Sequence, residues 1–167
     1  MNHHSKIEGN QFEGILEKAA RYQNIHFVRI PDGCKTRGYN QLMRVPTPCD
    51  YILIHNGISV FIDCKSYDSD RICYSDITEH QAKSLHAIER AGCVAGLLIW
   101  LRKESCVAFV KASQLSELQP KDHIHGKDMI YLSSLSKEQL SIEEFYLARL
   151  FSIQLEEKPL VLTGGLN

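Results

Sequence analysis

No pair of cysteines in this chain has the CxxC spacing of a redox motif or a zinc finger, although six stand at positions 34, 49, 64, 73, 93 and 106. That spacing excludes a structural zinc cluster and reads as reduced, buried thiols of a cytosolic protein. No apolar run approaches the roughly 20 residues needed to cross a bilayer. The opening Met-Asn-His-His-Ser-Lys lacks the apolar centre of a signal peptide, so neither secretion nor a membrane partner is expected. Excess charge is missing too. A formal net charge of −1 gives no global attraction for polyanions and leaves only local patches of either sign. There is no internal repeat and no low-complexity segment. What remains, 167 residues of which 44% are apolar and 23% charged, is the size and make-up of one globular domain. It reads as a single unit over 1–167, with a core at about 8–112 and a C-terminal extension over 113–167.

The stretch from Pro46 to Lys65, PTPCDYILIHNGISVFIDCK, organises the rest. Tyr51–His55 and Ile58–Ile62 are β-branched, apolar runs separated by Asn56-Gly57, the dipeptide that suits a two-residue type I′ turn. That turn sets the register: His55 faces Ile58 and, stepping outward, Asp50 faces Asp63. Opposed residues on one face have Cβ atoms about 4.5–5.5 Å apart, so two carboxylates there repel unless a cation lies between them. Lys65, two residues on, points to the same face. Ile52, Ile54 and Phe61 share the Asp50 face, and Leu53, Val60 and Ile62 the other. A hairpin apolar on both faces belongs at the centre of a mixed sheet covered by helices. Two readings follow from geometry alone: a cation site held by Asp50 and Asp63, or a turn aspartate beside an ordinary Asp63–Lys65 ion pair.

Around this hairpin the patterning gives an αβββαβ core. Asn10–Tyr22 reads as a helix with the buried stripe Phe12, Ile15, Leu16 and Ala19. Asn10 is its N-cap, and Glu13 either closes a capping box or leans toward the cation site. His26–Ile30 is a strand. Pro31–Val45 is glycine-punctuated and reads as a loop, in which Lys35, Arg37 and Arg44 with Tyr39 are either phosphate contacts with a stacking ring or a solvated connector. Ser66–Asp76 reads as loop, with Arg71 and Lys65 making it locally cationic. Thr78 caps the next helix with Gln81 at N3 and an Ile77–Ala82 staple. Gln81 shares a stripe with Leu85 and Ile88 and so looks inward, toward the cap or toward a water beside a metal. His80 lies off that stripe, a phosphate contact or nothing. Val94–Leu101 is a buried strand, placed parallel to its partner by the helical crossover, and Cys106–Val110 is another. In the extension, Ser113–Leu118 reads as a short helix and Met129–Leu132 as an edge strand. His123 and His125 lack a third ligand for a metal. Ser141 caps a final helix to Leu155 with the stripe Ile142, Phe145, Tyr146, Leu150 and Ile153, and residues 159–167 read as a frayed end.

Asp50 followed by Asp63-Cys64-Lys65 resembles the signature of the PD-(D/E)XK nuclease superfamily. Gly9-Asn-Gln-Phe12-Glu13, Pro46-Thr-Pro-Cys-Asp50-Tyr51 and Glu79-His80-Gln81 are similar, in order and spacing, to successive motifs of the RecU-type Holliday junction resolvases, over about Glu8 to Leu101. The resemblance implies a restriction-endonuclease-like α/β fold, with a central mixed sheet flanked by helices. It implies a protruding stalk in the Pro31–Val45 position. It also implies a homodimer acting on branched DNA in recombination and repair, in the cytoplasm or on the nucleoid. It assigns Glu13 and Gln81 to the active site together with Asp50, Asp63 and Lys65. Oxygen ligands from Asp50 and Asp63, with the Cys64 carbonyl and Glu13 directly or through water, suit Mg²⁺ or Mn²⁺. Lys65 would orient the attacking water. Lys35, Arg37, Tyr39, Arg44, Arg71 and His80 are the candidate DNA contacts. Three readings stand: a junction-resolving endonuclease, another nuclease of the superfamily of nicking or restriction type, and a DNA-binding protein that keeps the fold without hydrolysis.

Overall fold

The computed structural model describes residues 3–31, 33–37, 41–69, 72–116, 123–124, 129–133 and 145–157. In chain order the helices are α1 (His3–Tyr22), α2 (Glu79–Arg90), α3 (Ala112–Ser116) and α4 (Arg149–Glu157). The strands are β1 (His26–Arg29), β2 (Gly33–Arg37), β3 (Gln41–Val45), β4 (Tyr51–His55), β5 (Ile58–Tyr67), β6 (Ile72–Cys73), β7 (Val94–Leu101), β8 (Cys106–Lys111), β9 (His123–Ile124) and β10 (Ile130–Tyr131). A six-stranded sheet runs in the order β1-β4-β5-β7-β8-β10. Only β5 and β7 are parallel, joined by the α2 crossover; the other pairs are antiparallel. The αβββαβ order and the mixed sheet expected from patterning are thus present, and β10 is the edge strand expected near Met129–Leu132.

Both faces of the sheet are covered, as the two-sided apolar hairpin requires. Tyr51, Leu53, Val60 and Ile62 face Phe12, Leu16 and Ala19 of α1 and Leu150 and Ile153 of α4. Ile52 and Phe61 on the opposite face join Leu85 of α2 and Leu97, Ile99 and Val110. At Gly96 the neighbouring strand β8 comes so close that a Cβ would meet the Val110 carbonyl oxygen and the Phe109 ring.

Four expectations need correction. Helix α1 begins at His3, not Asn10; Asn10 is exposed within the helix, where an asparagine costs only a few tenths of a kcal/mol, about 0.7 at most, so a good capping residue did not act as a start. Glu13 is therefore mid-helix and closes no capping box. Pro31–Val45 is not a loop but carries a two-stranded ribbon, Gly33 pairing with Val45 through to Arg37 with Gln41; Gly33, read as a breaker, opens its first strand, and Gly38 lies outside the described residues. Strand β5 continues beyond Lys65, because Ser66 and Tyr67 still pair with Trp100 and Leu101. The final helix begins at Arg149, not Ser141. Phe145 and Tyr146 precede it, and their backbone is used laterally: Tyr146 N–H donates to the Leu132 carbonyl at 2.7 Å and the Gln23 side-chain amide donates to the Phe145 carbonyl. Ser141, Ile142 and residues 159–167 lie outside the described residues.

Candidate active site

The turn sets the register of the hairpin. Asn56 and Gly57 take φ of 50° and 77°, the two positive values of a type I′ turn. His55 then pairs with Ile58 and Tyr51 with Ile62, and the Asp50 N–H donates to the Ile62 carbonyl at 2.9 Å. The register ends at Tyr51 with Ile62, so Asp50 and Tyr51 both oppose Ile62 and the expected direct Asp50–Asp63 pair is not made. The two carboxylates still lie close enough at the hairpin's open end for their charges to act on each other. Asp50 Oδ2 accepts the Cys64 N–H at 2.7 Å.

Asp63 is buried, 3% exposed, inside the β5–β7 pairing. Its Oδ2 accepts the Gln81 amide N–H at 2.8 Å. Its Oδ1 lies 3.0 Å from Lys65 Nζ, but not in hydrogen-bonding alignment, so this buried oxygen has no hydrogen-bond partner. Gln81 is held by the helix start. Its Oε1 accepts the Thr78 N–H at 3.1 Å and the Thr78 hydroxyl at 3.0 Å, while Thr78 Oγ1 accepts the Gln81 N–H at 3.2 Å. Of the alternatives open for Gln81 the cap is present, at one end of its amide; the other end holds Asp63, a contact the sequence reading did not name.

Burial and the Asp63 charge beside it raise the Asp50 carboxyl to about 6, against the Cys64 N–H and Lys65, which lower it, with Glu13 adding a smaller upward push. Burial, then the charges of Asp50 and Asp63, push the Cys64 thiol well up. The Cys64 side chain packs against the core cluster on the α1 side of the sheet, so what Cys64 can offer beside Asp50 and Asp63 is its carbonyl oxygen.

Glu13 reaches this end of the sheet from α1. It forms an ion pair with Arg29 and accepts a long hydrogen bond, 3.5 Å, from the Tyr51 hydroxyl, whose shorter bond, 2.9 Å, goes to Glu17. Glu13, Arg29, Ile30, Pro31 and Asp50 line a cavity of about 270 Å³, which joins the helix glutamate to the hairpin aspartate. Among the described residues no three histidine, cysteine or acidic side chains converge tightly enough to form a finished metal cage. The donor set nonetheless fits a hard divalent cation: two neighbouring carboxylates, one of them buried with an oxygen that meets only the Lys65 ammonium, and a backbone carbonyl.

The structure thus brings together Asp50, Asp63, Lys65 and Gln81, with Glu13 across the cavity. His80 is exposed in the first turn of α2, its Nε2 3.4 Å from Ser84 Oγ. Lys35 and Arg37 belong to β2 and Arg44 to β3, as backbone positions only. Tyr39 and Arg71 lie outside the described residues. Arg29, Glu17 and Tyr51 were missed by the reading of the sequence. The available signal was Glu13 and Glu17 themselves: like charges four apart on a helix repel unless a cation joins them.

Residues 9–155 match the family model described as Recombination protein U. No curated protein matches the chain. Among solved structures the chain is similar to Hjc of Archaeoglobus fulgidus, described as a Holliday junction resolvase from an archaeal hyperthermophile. The TM-score is 0.53 at 16% identity, covering 74% of this chain and 95% of that one. At that identity the likeness is one of fold.

Proposed function

The chain belongs to the Recombination protein U family of Holliday junction resolvases, and on that premise we propose that it cuts four-way DNA at the Asp50–Asp63–Lys65 cluster with Mg²⁺ or Mn²⁺ as cofactor. The family role is endonucleolytic hydrolysis of phosphodiester bonds in recombination. The observation that supports the assignment to this site is the buried Asp63 carboxylate, with its Oδ1 3.0 Å from the Lys65 ammonium and a second carboxylate, Asp50, close by.

Asp50, Asp63 and the Cys64 carbonyl would hold the cation, with Glu13 contributing directly or through water. A divalent cation there supplies charge relief at the phosphate oxygens. The remaining work falls to side chains. Gln81 fixes one oxygen of Asp63 and so aims the other. Asp63 keeps the Lys65 ammonium within 3.0 Å, where it can orient a water for in-line attack and neutralise phosphate charge. The Asp50 carboxyl, raised to about 6, is ionised at pH 7 and free to bind.

Resolution needs matched cuts in two opposed strands, which a two-fold homodimer supplies. That proposal rests on the symmetry of the substrate. Among the described residues the apolar stripe expected for it is used internally: Phe145, Leu150 and Ile153 are buried in the chain's own core, and Tyr146 is exposed. Lys35, Arg37, Tyr39, Arg44, Arg71 and His80 are proposed to contact the DNA backbone. Among the described residues no helix is long and apolar enough to cross a membrane, and the proposed place of action is with the DNA, in the cytoplasm or on the nucleoid.

Cleavage of a panel of linear, nicked, flapped and four-way DNA, with and without Mg²⁺, tests the reading. Mg²⁺-dependent preference for four-way DNA is expected. Equal cutting of all four forms would leave a nuclease without the junction selectivity.

A further inference from the structure

We propose that Arg29 is a relay between the cation site and the substrate: its guanidinium holds Glu13 while no divalent cation is bound, and passes to a DNA phosphate once a cation claims Glu13. This rests on Glu13 belonging to the cation site, as proposed above.

Arg29 closes β1, the edge strand of the sheet, directly across from Tyr51. Its side chain pairs with Glu13 and comes within 3.9 Å of Glu17, lying 5.8 Å over the Tyr51 ring. The Tyr51 hydroxyl donates to Glu17 at 2.9 Å and only weakly, at 3.5 Å, to Glu13. The two glutamates are therefore not equivalent. Glu17 is anchored by the phenol, while Glu13 depends on Arg29 and lines the cavity shared with Asp50. Arg29 is the cation in that lining, and its side chain is 55% exposed, so it can leave without opening the core or breaking a strand ladder.

A guanidinium and a divalent cation on one carboxylate repel each other. A cation arriving between Asp50, Asp63 and Glu13 must therefore displace Arg29. Glu17 and the Tyr51 ring keep the released arginine at the mouth of the cavity, where its fork of donors matches a phosphate bidentately. Because a coupling free energy is reciprocal, cation binding then tightens DNA binding and DNA tightens cation binding.

The test uses Ca²⁺ as the probe cation and uncut four-way DNA. Calorimetry measures Ca²⁺ affinity of DNA-free protein, and fluorescence anisotropy measures DNA affinity across salt with and without Ca²⁺. The expected result for Arg29→Ala is Ca²⁺ affinity raised at least about fivefold, with the Ca²⁺-bound salt slope for DNA lowered by about 1. Arg29→Lys, which keeps the charge, should keep that slope. An Arg29→Ala protein with unchanged Ca²⁺ affinity and unchanged slope overturns the relay and leaves Arg29 a surface ion pair. Glu13→Gln separates the two levels: if it binds Ca²⁺ as the wild type does, the fault lies in the placement of Glu13 at the cation site.

Discussion

One oxygen of Asp63 is fully spoken for by Gln81 and the other is buried without a hydrogen bond. Burial of that carboxylate is costly even with the Lys65 ammonium 3.0 Å away, and Asp50 beside it bears a cost as a raised carboxyl. Its pKa of about 6, against 3.8 for an unhindered aspartate, means that the folded state holds its proton more tightly than the unfolded chain. The stability associated with that proton is present below about pH 4 and is lost as pH rises through 6, on the order of 3 kcal/mol in all. Asp50→Asn, which can still accept from Cys64 N–H, should therefore stabilise the cation-free protein at pH 7 and give little gain at pH 4. Urea melts at the two pH values check this, and an equal gain at both would place the effect elsewhere. In catalysis Lys65→Ala should lower cleavage by roughly 10²–10³-fold, measured under single-turnover conditions on protein shown to be folded. It should also lower the melting temperature, because it leaves the buried Asp63 carboxylate without its ammonium partner. The hairpin trio was legible because a period of two and an Asn-Gly turn fix the register as far as Tyr51 with Ile62. The Arg29–Glu13–Glu17 contacts were not, since the i,i+4 glutamate pair asks for a cation but which cation answers depends on how α1 packs across β1 and β4. Glu13 was placed at the site by its place on the helix stripe and by the family resemblance; the competing capping role fails, Asn10 being inside the helix.

At the scale of elements, α2 links stability to the site. The Thr78 capping box and the Asp63 contact share one amide. Thr78→Ala should cost about 1 kcal/mol of stability, and it should also slow cleavage although Thr78 touches neither aspartate. A double-mutant cycle with Gln81→Ala measures the link; additive effects on cleavage would show that the cap does not position Gln81. Gly96→Ala should be more severe, about 1–3 kcal/mol or beyond, because the obstructing atom is the Val110 backbone carbonyl; a thermal melt with no loss would contradict the packing described. The β5–α2–β7 crossover and its caps were readable because capping residues and apolar periods agree there. The ribbon Gly33–Val45 and the start of α4 were not. Both are decided by pairing with distant chain: strand to strand in the first case, and Tyr146 to Leu132 in the second.

At the scale of the whole molecule, a near-neutral chain must gather DNA through local charge, and a junction with two-fold symmetry asks for two copies. The sequence supplied the αβββαβ order and the family likeness, but its argument for self-association used an apolar stripe that the fold spends on its own core. Oligomeric state, read by light scattering with and without four-way DNA, is expected to be dimeric with DNA; a monomer in both conditions would remove paired cutting but leave the hydrolytic site. The most direct test labels each strand of a four-way junction in turn and resolves the products on denaturing gels across an Mg²⁺ titration. Wild-type protein is predicted to make Mg²⁺-dependent cuts at symmetric positions in opposed strands, and Asp63→Asn to make none. Full cleavage by Asp63→Asn, or equal cleavage of the wild type's substrate without divalent cation, would contradict the account.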